Sequence, residues 1–129
     1  MKLQVKLPHD VEDLLTIGWT LIGFHSDGLV EKVVEGLLAF LREKKEYKDG
    51  WTFDVAGNND PDDGYIRRNG NGYDHKSFFH FRPRLFGLLT EREINFSQHR
   101  DWLISCNKLF MACFGAISSF AEHLDRHIE

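Results

Sequence analysis

Asp62-Asp63-Gly64-Tyr65-Ile66-Arg67-Arg68-Asn69-Gly70-Asn71-Gly72-Tyr73-Asp74-His75-Lys76-Ser77-Phe78-Phe79-His80-Phe81-Arg82-Pro83 is the stretch on which the fold turns. Tyr65–Arg68 and Ser77–Arg82 predict two strands. Asn69-Gly70-Asn71-Gly72 between them is turn chemistry, because Asn and Gly tolerate the positive φ that tight turns require. Alternation along the second strand places Phe79 and Phe81 on one face and Phe78, His80 and Arg82 on the other. Pro83 cannot donate a ladder hydrogen bond, so the strand stops there.

Working outward, Leu3, Val5 and Leu7 alternate with Lys2, Gln4 and Lys6, which predicts a half-buried strand ended by Pro8. Asp10 is placed to cap a short helix holding Val11, Leu14 and Leu15, and Gly18 ends it. Trp19–Phe24 is a short apolar run rich in β-formers, read as a buried strand. Asp27 then caps an amphipathic helix in which Leu29, Val30, Val33, Val34, Leu37, Leu38 and Leu41 recur at three- and four-residue spacing. Its end, Arg42–Glu46, is solvated. Residues 57–64 read as a loop by composition, and Leu85–Leu89 as a short helix. Ser97 opens the longest element. From Gln98 to Ile128, Trp102, Cys106, Leu109, Cys113, Ile117, Phe120, Leu124 and Ile128 form an apolar stripe, widened by Leu103, Phe110, Phe114 and Ala121. Such a helix is about 45 Å long. The expected fold is α+β: short strands packed on a medium helix and a long C-terminal helix, within one domain covering 1–129.

The whole-chain numbers bound the function classes. The 129 residues, 42% of them hydrophobic, support one compact domain and argue against disorder. A net charge of −4 lacks the basic excess of a general nucleic-acid binder. No apolar run approaches the ~20 residues of a membrane span, and residues 1–6 carry no secretory signal. Cys106 and Cys113 lie seven apart on a helix, roughly 10 Å, beyond disulfide reach. Free thiols fit a reducing compartment, so a cytoplasmic location is expected.

Several constellations invite chemistry. Arg67, Arg68, Lys76, His80, Arg82 and Arg84 gather around the two middle strands, with Tyr65, Tyr73, Phe78 and Phe81 among them. They could meet an acidic ligand or could simply guard an exposed strand. His99-Arg100-Asp101 is a His-x-Asp string, but at a helix start i and i+2 diverge by about 200°, so the two cannot face one metal. His123 and His127 have a metal-compatible spacing and also suit a helix C-terminus. The acidic loop Asn58–Asp63 lacks the Glu that a twelve-residue calcium loop needs, since Gly70 stands there.

The order of these segments resembles the N-terminal region of the isopenicillin N synthase-like family of non-haem iron oxygenases. Trp19–Phe24 resembles its Gly-Phe-Phe strand, although the following turn, His25-Ser26-Asp27-Gly28, keeps only the Gly. Gly64-Tyr65 and Lys76…Phe79-His80-Phe81 resemble its Gly-Tyr and Lys-Glu-x-Phe-x-Phe strands. The resemblance implies a piece of a double-stranded β-helix oxygenase that uses Fe(II) and, in many members, 2-oxoglutarate. It implies that Tyr65, Arg67, Lys76, His80 and Arg82 line a substrate entrance. The chain has no Arg-x-Ser to hold 2-oxoglutarate and no strand-borne His-x-Asp. It is therefore expected to hold no metal or cofactor itself and to support catalysis rather than perform it. Its expected partner is the remainder of an oxygenase barrel, with neither nucleic acid nor membrane. The other reading is a small interaction domain that forms homo-oligomers or binds a partner through helix 98–128.

Overall fold

The computed structural model describes residue 12, residues 14–16, 26–69 and 75–128. The expected strands at 3–7 and 19–24 and the turn at 69–72 therefore fall wholly or largely outside the described residues. Residues 14–16 are helical, within the short helix expected after Asp10.

The fold is α+β: besides the helical residues 14–16, the described residues form four helices and a three-stranded antiparallel sheet. The order is α1 (Leu29–Leu41), α2 (Lys45–Asp49), β1 (Thr52–Phe53), β2 (Asp63–Asn69), β3 (His75–His80), α3 (Leu85–Glu91), a 3₁₀ turn (Ser97–His99) and α4 (Arg100–Ile128). The sheet runs β1-β2-β3, with Thr52 opposite Gly64, and with Tyr65 opposite Phe79 and Arg68 opposite Lys76. The chain divides into two compact units: residues 32–107 form one, and residues 1–31 with 108–129 form the other.

Unit 32–107 is built around Phe40. Its ring is fully buried and lies 4.7 Å from Trp51, 5.3 Å from Phe79, 5.4 Å from Trp102 and 5.8 Å from Tyr65, centroid to centroid. Aromatic pairs at these separations add to simple area burial. Leu85, Leu89 and Leu103, all fully buried, complete the core with Phe53 and Cys106. The α1 stripe is thus turned from the one its leucines suggest. Val33, Leu37 and Phe40 face the core, while Val34, Leu38 and Leu41 remain 38–50% exposed. Gly36 explains the rotation: a Cβ there would overlap the Trp102 side chain, so α1 and α4 meet at a glycine. The Trp102 indole N–H fixes that meeting by donating to the Val33 carbonyl at 3.0 Å.

Helix α1 also starts later than an Asp27 cap would set it. Asp27 and Gly28 both have positive φ, 47° and 76°, and the Leu29 N–H bonds back to the Ser26 carbonyl at 2.8 Å. Asp27 therefore belongs to the turn before the helix. Strand β2 begins earlier than its β-formers suggest because Asp63 and Gly64 pair with Phe53 and Thr52. Strand β3 spans His75–His80 rather than Ser77–Arg82 because its pairing with β2 runs from Asn69–His75 to Gly64–His80.

Candidate functional site

The β2–β3 ladder decides where the basic and aromatic side chains go, because alternate residues point to opposite faces. Tyr65 lies on the core face and is 3% exposed. Its hydroxyl lies 3.2 Å from the Ser77 hydroxyl. The Arg67 guanidinium sits 5.7 Å above the Tyr65 ring and pairs with Asp49 at 3.3 Å. Lys76 and His80 belong to the opposite face with Arg68 and Phe78. There Arg68 lies 5.7 Å over the Phe78 ring, whose centroid is 6.1 Å from that of His80. Arg82 follows the end of β3 and reaches Asp63 at 3.6 Å. The five residues expected to line one entrance, Tyr65, Arg67, Lys76, His80 and Arg82, are thus divided: two on the core face, two on the outer face, one beyond the strand.

The basic character of this region is largely matched from within. Arg67 faces Asp49, Arg68 faces Asp60 at 3.5 Å, and Arg82 and Arg84 converge on Asp63. The strongest of these contacts is the last. Asp63 is fully buried, and one carboxylate oxygen accepts from Arg84 Nη2 at 2.5 Å and from Arg84 Nε at 3.1 Å. A two-nitrogen contact of this kind fixes geometry as well as charge. It ties the start of β2 to the residue that precedes α3. The other Asp63 oxygen, Oδ1, is buried without a hydrogen-bond partner among the described residues.

The acidic loop beyond β1 is organised by its own amides. Asp54 accepts N–H bonds from Gly57 (2.9 Å), Asn58 (3.3 Å) and Asn59 (2.8 Å). Asp62 accepts from Val55 (2.9 Å) and Ala56 (3.1 Å). Gly57 and Asn59 make the turns possible by taking positive φ, 72° and 63°. The Val55 amide, the larger cause, together with the Ala56 amide, holds the Asp62 carboxyl below its ordinary pKa. These carboxylates cap a loop and do not converge on an ion-sized space. Among the described residues no group of three or more His, Cys, Asp or Glu is placed to hold a metal.

His99 is a core residue. It is 5% exposed, its ring lies 5.5 Å from Phe40 and 5.9 Å from Trp51, and its Nε2 is 3.2 Å from the Glu43 carboxylate. Asp101, two residues on, is exposed in the first turn of α4. His123 lies near the other end of that helix, and the side chain of His127 is outside the described residues. Cys106 is buried, and burial pushes its thiol up to about 11, so it stays protonated and unreactive near neutral pH.

Beside β1, Phe53, Asp54, Val55, Leu88, Glu91 and Arg92 line an open groove of about 350 Å³. Arg92 donates from Nη1 to the carbonyls of Gly50 (3.0 Å) and Thr52 (2.7 Å) and covers the Phe53 ring at 3.9 Å. It thereby takes up carbonyls at the outer edge of β1 that a neighbouring strand would otherwise claim. Neither Arg92 nor this groove was legible in the sequence, because β1 itself carries only two residues.

Helix α4 leaves apolar side chains uncovered. In unit 1–31 with 108–129, Met111, Phe114 and Ile117 are 53, 58 and 59% exposed, while Phe120 is buried. The stretch Ser97–Arg126 is long and apolar enough, by length and composition, to cross a membrane: its most apolar 18 residues have a mean hydropathy of 1.4 and are 17% buried. This departs from the reading of unbroken apolar runs, since averaging tolerates the polar Asn107 and Lys108. Core helices pass the same test, and Trp102, Leu103 and Cys106 of this helix are core residues. Comparison of the chain with protein families, with characterised proteins and with solved structures gives no match.

Proposed function

We propose that this chain is the N-terminal supporting region of an isopenicillin N synthase-like iron-dependent oxygenase, and that it works by offering apolar helix surface to the protein that carries the iron. The observation that carries this reading is the uncovered row Met111, Phe114 and Ile117 on α4. Large side chains left more than half exposed in close succession mark a contact surface more often than a solvated one. The order of sequence segments that resembles the oxygenase family supplies the identity of the partner: the barrel bearing the metal and 2-oxoglutarate motifs. In that role the entrance-lining residues reduce to the three whose own side chains are exposed, Lys76, His80 and Arg82. Tyr65 and Arg67 serve the core face behind them.

The chain taken alone is expected to consume no oxygen when supplied with Fe(II) and 2-oxoglutarate. Of its three His-x-Asp strings, His99-Arg100-Asp101 pairs a core imidazole with an exposed carboxylate, His123-Leu124-Asp125 lies within α4, where i and i+2 diverge, and His25-Ser26-Asp27 ends in the turn before α1; no Arg-x-Ser is present. Iron-dependent oxygen uptake by the 129-residue chain would overturn this reading. The coding DNA beyond codon 129 offers the complementary test. A reading frame that continues into a His-x-Asp, a distant second His and an Arg-x-Ser supports it.

A second reading is favoured by the same uncovered row. A self-contained interaction domain could pair α4 with α4 of a second copy, as helix faces with apolar residues at three- and four-residue spacing do. A stop codon at position 130, together with a discrete dimer by light scattering, would select that reading.

A further inference from the structure

The groove beside β1 belongs to neither reading, and its chemistry is specific. One wall is apolar: Val55 is 44% exposed and Leu88 is half-buried. Three charges stand around it, those of Asp54, Glu91 and Arg92. Arg92 is committed to the chain itself, through the Gly50 and Thr52 carbonyls and the Phe53 ring. Asp54 turns its oxygens toward the amides of its own loop. Glu91 is exposed and has no ion-pair partner among the described residues. The groove thus joins an apolar strip to an available negative charge, with its one cation already engaged, on a protein whose net charge is −4.

A side chain that suits both features has an aliphatic stem and a cationic head. We propose that this groove takes a lysine or arginine side chain from a partner polypeptide, with the methylene stem on Val55 and Leu88 and the charged head against the Glu91 carboxylate. An acidic or phosphorylated segment is disfavoured by Asp54 and Glu91. A purely apolar side chain would use the strip and leave the carboxylate unused.

The test is a titration of the ¹⁵N-labelled 129-residue chain with three capped tripeptides, Ala-Lys-Ala, Ala-Arg-Ala and Ala-norleucine-Ala. Concentrations run to about 10 mM, the range in which a single exposed contact is measurable. The amides of Val55, Leu88 and Glu91 are expected to shift with the two basic peptides and not with the norleucine peptide. Glu91→Gln is expected to weaken that response about two- to fivefold, the worth of one exposed ion pair. Glu91 is exposed at the end of α3, so the variant retains its fold. Val55→Ser, which shortens the apolar strip and keeps the carboxylate, is expected to weaken both basic peptides as well. Equal binding of the norleucine peptide, indifference to Glu91→Gln, or no shift at the groove with any peptide would overturn the proposal.

Discussion

Gly64 sits where one methyl group has no room. Its φ is +77°, and a Cβ there would run into the Trp51 carbonyl oxygen, to which the neighbouring Tyr65 N–H bonds at 3.0 Å. Gly64→Ala is therefore expected to cost at least about 2 kcal/mol, combining left-handed strain with a backbone clash. Urea denaturation followed by tryptophan fluorescence would measure it. Asp62 makes the loop sensitive to acid. Its carboxyl is held below the ordinary value by the Val55 amide first and the Ala56 amide second. A carboxyl depressed in the folded state contributes stability above its unfolded pKa and loses it as pH falls through the folded one. The amides of Val55 and Ala56 should accordingly keep their hydrogen-exchange protection at neutral pH and lose it below about pH 4. Unchanged protection in acid would contradict the assignment. At this scale the sequence was partly legible. Asp62-Asp63-Gly64 read as loop, whereas Asp63 and Gly64 open β2; alternation put Phe79 and Phe81 on one face, and the structure packs both against the core. The sequence could not reveal that Asp63 is buried beneath Arg84, because a carboxylate becomes tolerable inside only through partners 19 and 21 positions away in the chain.

The elements follow from periodicity where they are long and from tertiary contact where they are short. Helices α1 and α4 announced themselves by their apolar stripes, α3 as a short apolar segment after Pro83, and β2 and β3 by their β-formers. Helix α2 and strand β1, of five and two residues, did not. Each is held by contacts from outside itself: Tyr47 donates to the Asn95 carbonyl at 2.7 Å, and Arg92 to the Thr52 carbonyl. Phe40, the centre of the core, was hidden in the α1 pattern by the neighbouring leucines. Which of two adjacent apolar stripes turns inward was decided by Gly36. A glycine inside a helix costs about 1 kcal/mol in propensity relative to alanine, so its presence points to a steric requirement. Gly36→Ala would regain that propensity and place a Cβ against Trp102, itself 7% exposed and unable to retreat. Overpacking should win, with a net loss of about 2 kcal/mol and a change in tryptophan emission. A stabilised variant with unchanged emission would show that the helices do not meet there.

At the scale of the molecule, the candidate site was legible as a composition and not as a constellation. The sequence gathered Tyr65, Arg67, Lys76, His80 and Arg82 by proximity along the chain. The sheet separates them by face, and aspartates from residue 49 to residue 63 neutralise the arginines. What the sequence did carry was the width of the α4 stripe, which exceeds what this chain covers at Phe114 and Ile117; Met111, exposed beside them, lay outside that stripe. Covering the exposed part of each such side chain would contribute about 1–2 kcal/mol. Summed over the row on both partners, that is comparable to the roughly 4–15 kcal/mol that association costs, so self-association of the isolated chain should depend on concentration. The most direct test is light scattering across a concentration series for the 129-residue chain and for Phe114→Ser combined with Ile117→Ser. The unaltered chain should self-associate as concentration rises, while the double variant stays monomeric with the same circular dichroism. An unaltered chain that remains monomeric throughout, or a folded variant that associates equally well, would contradict the claim that α4 presents a contact face.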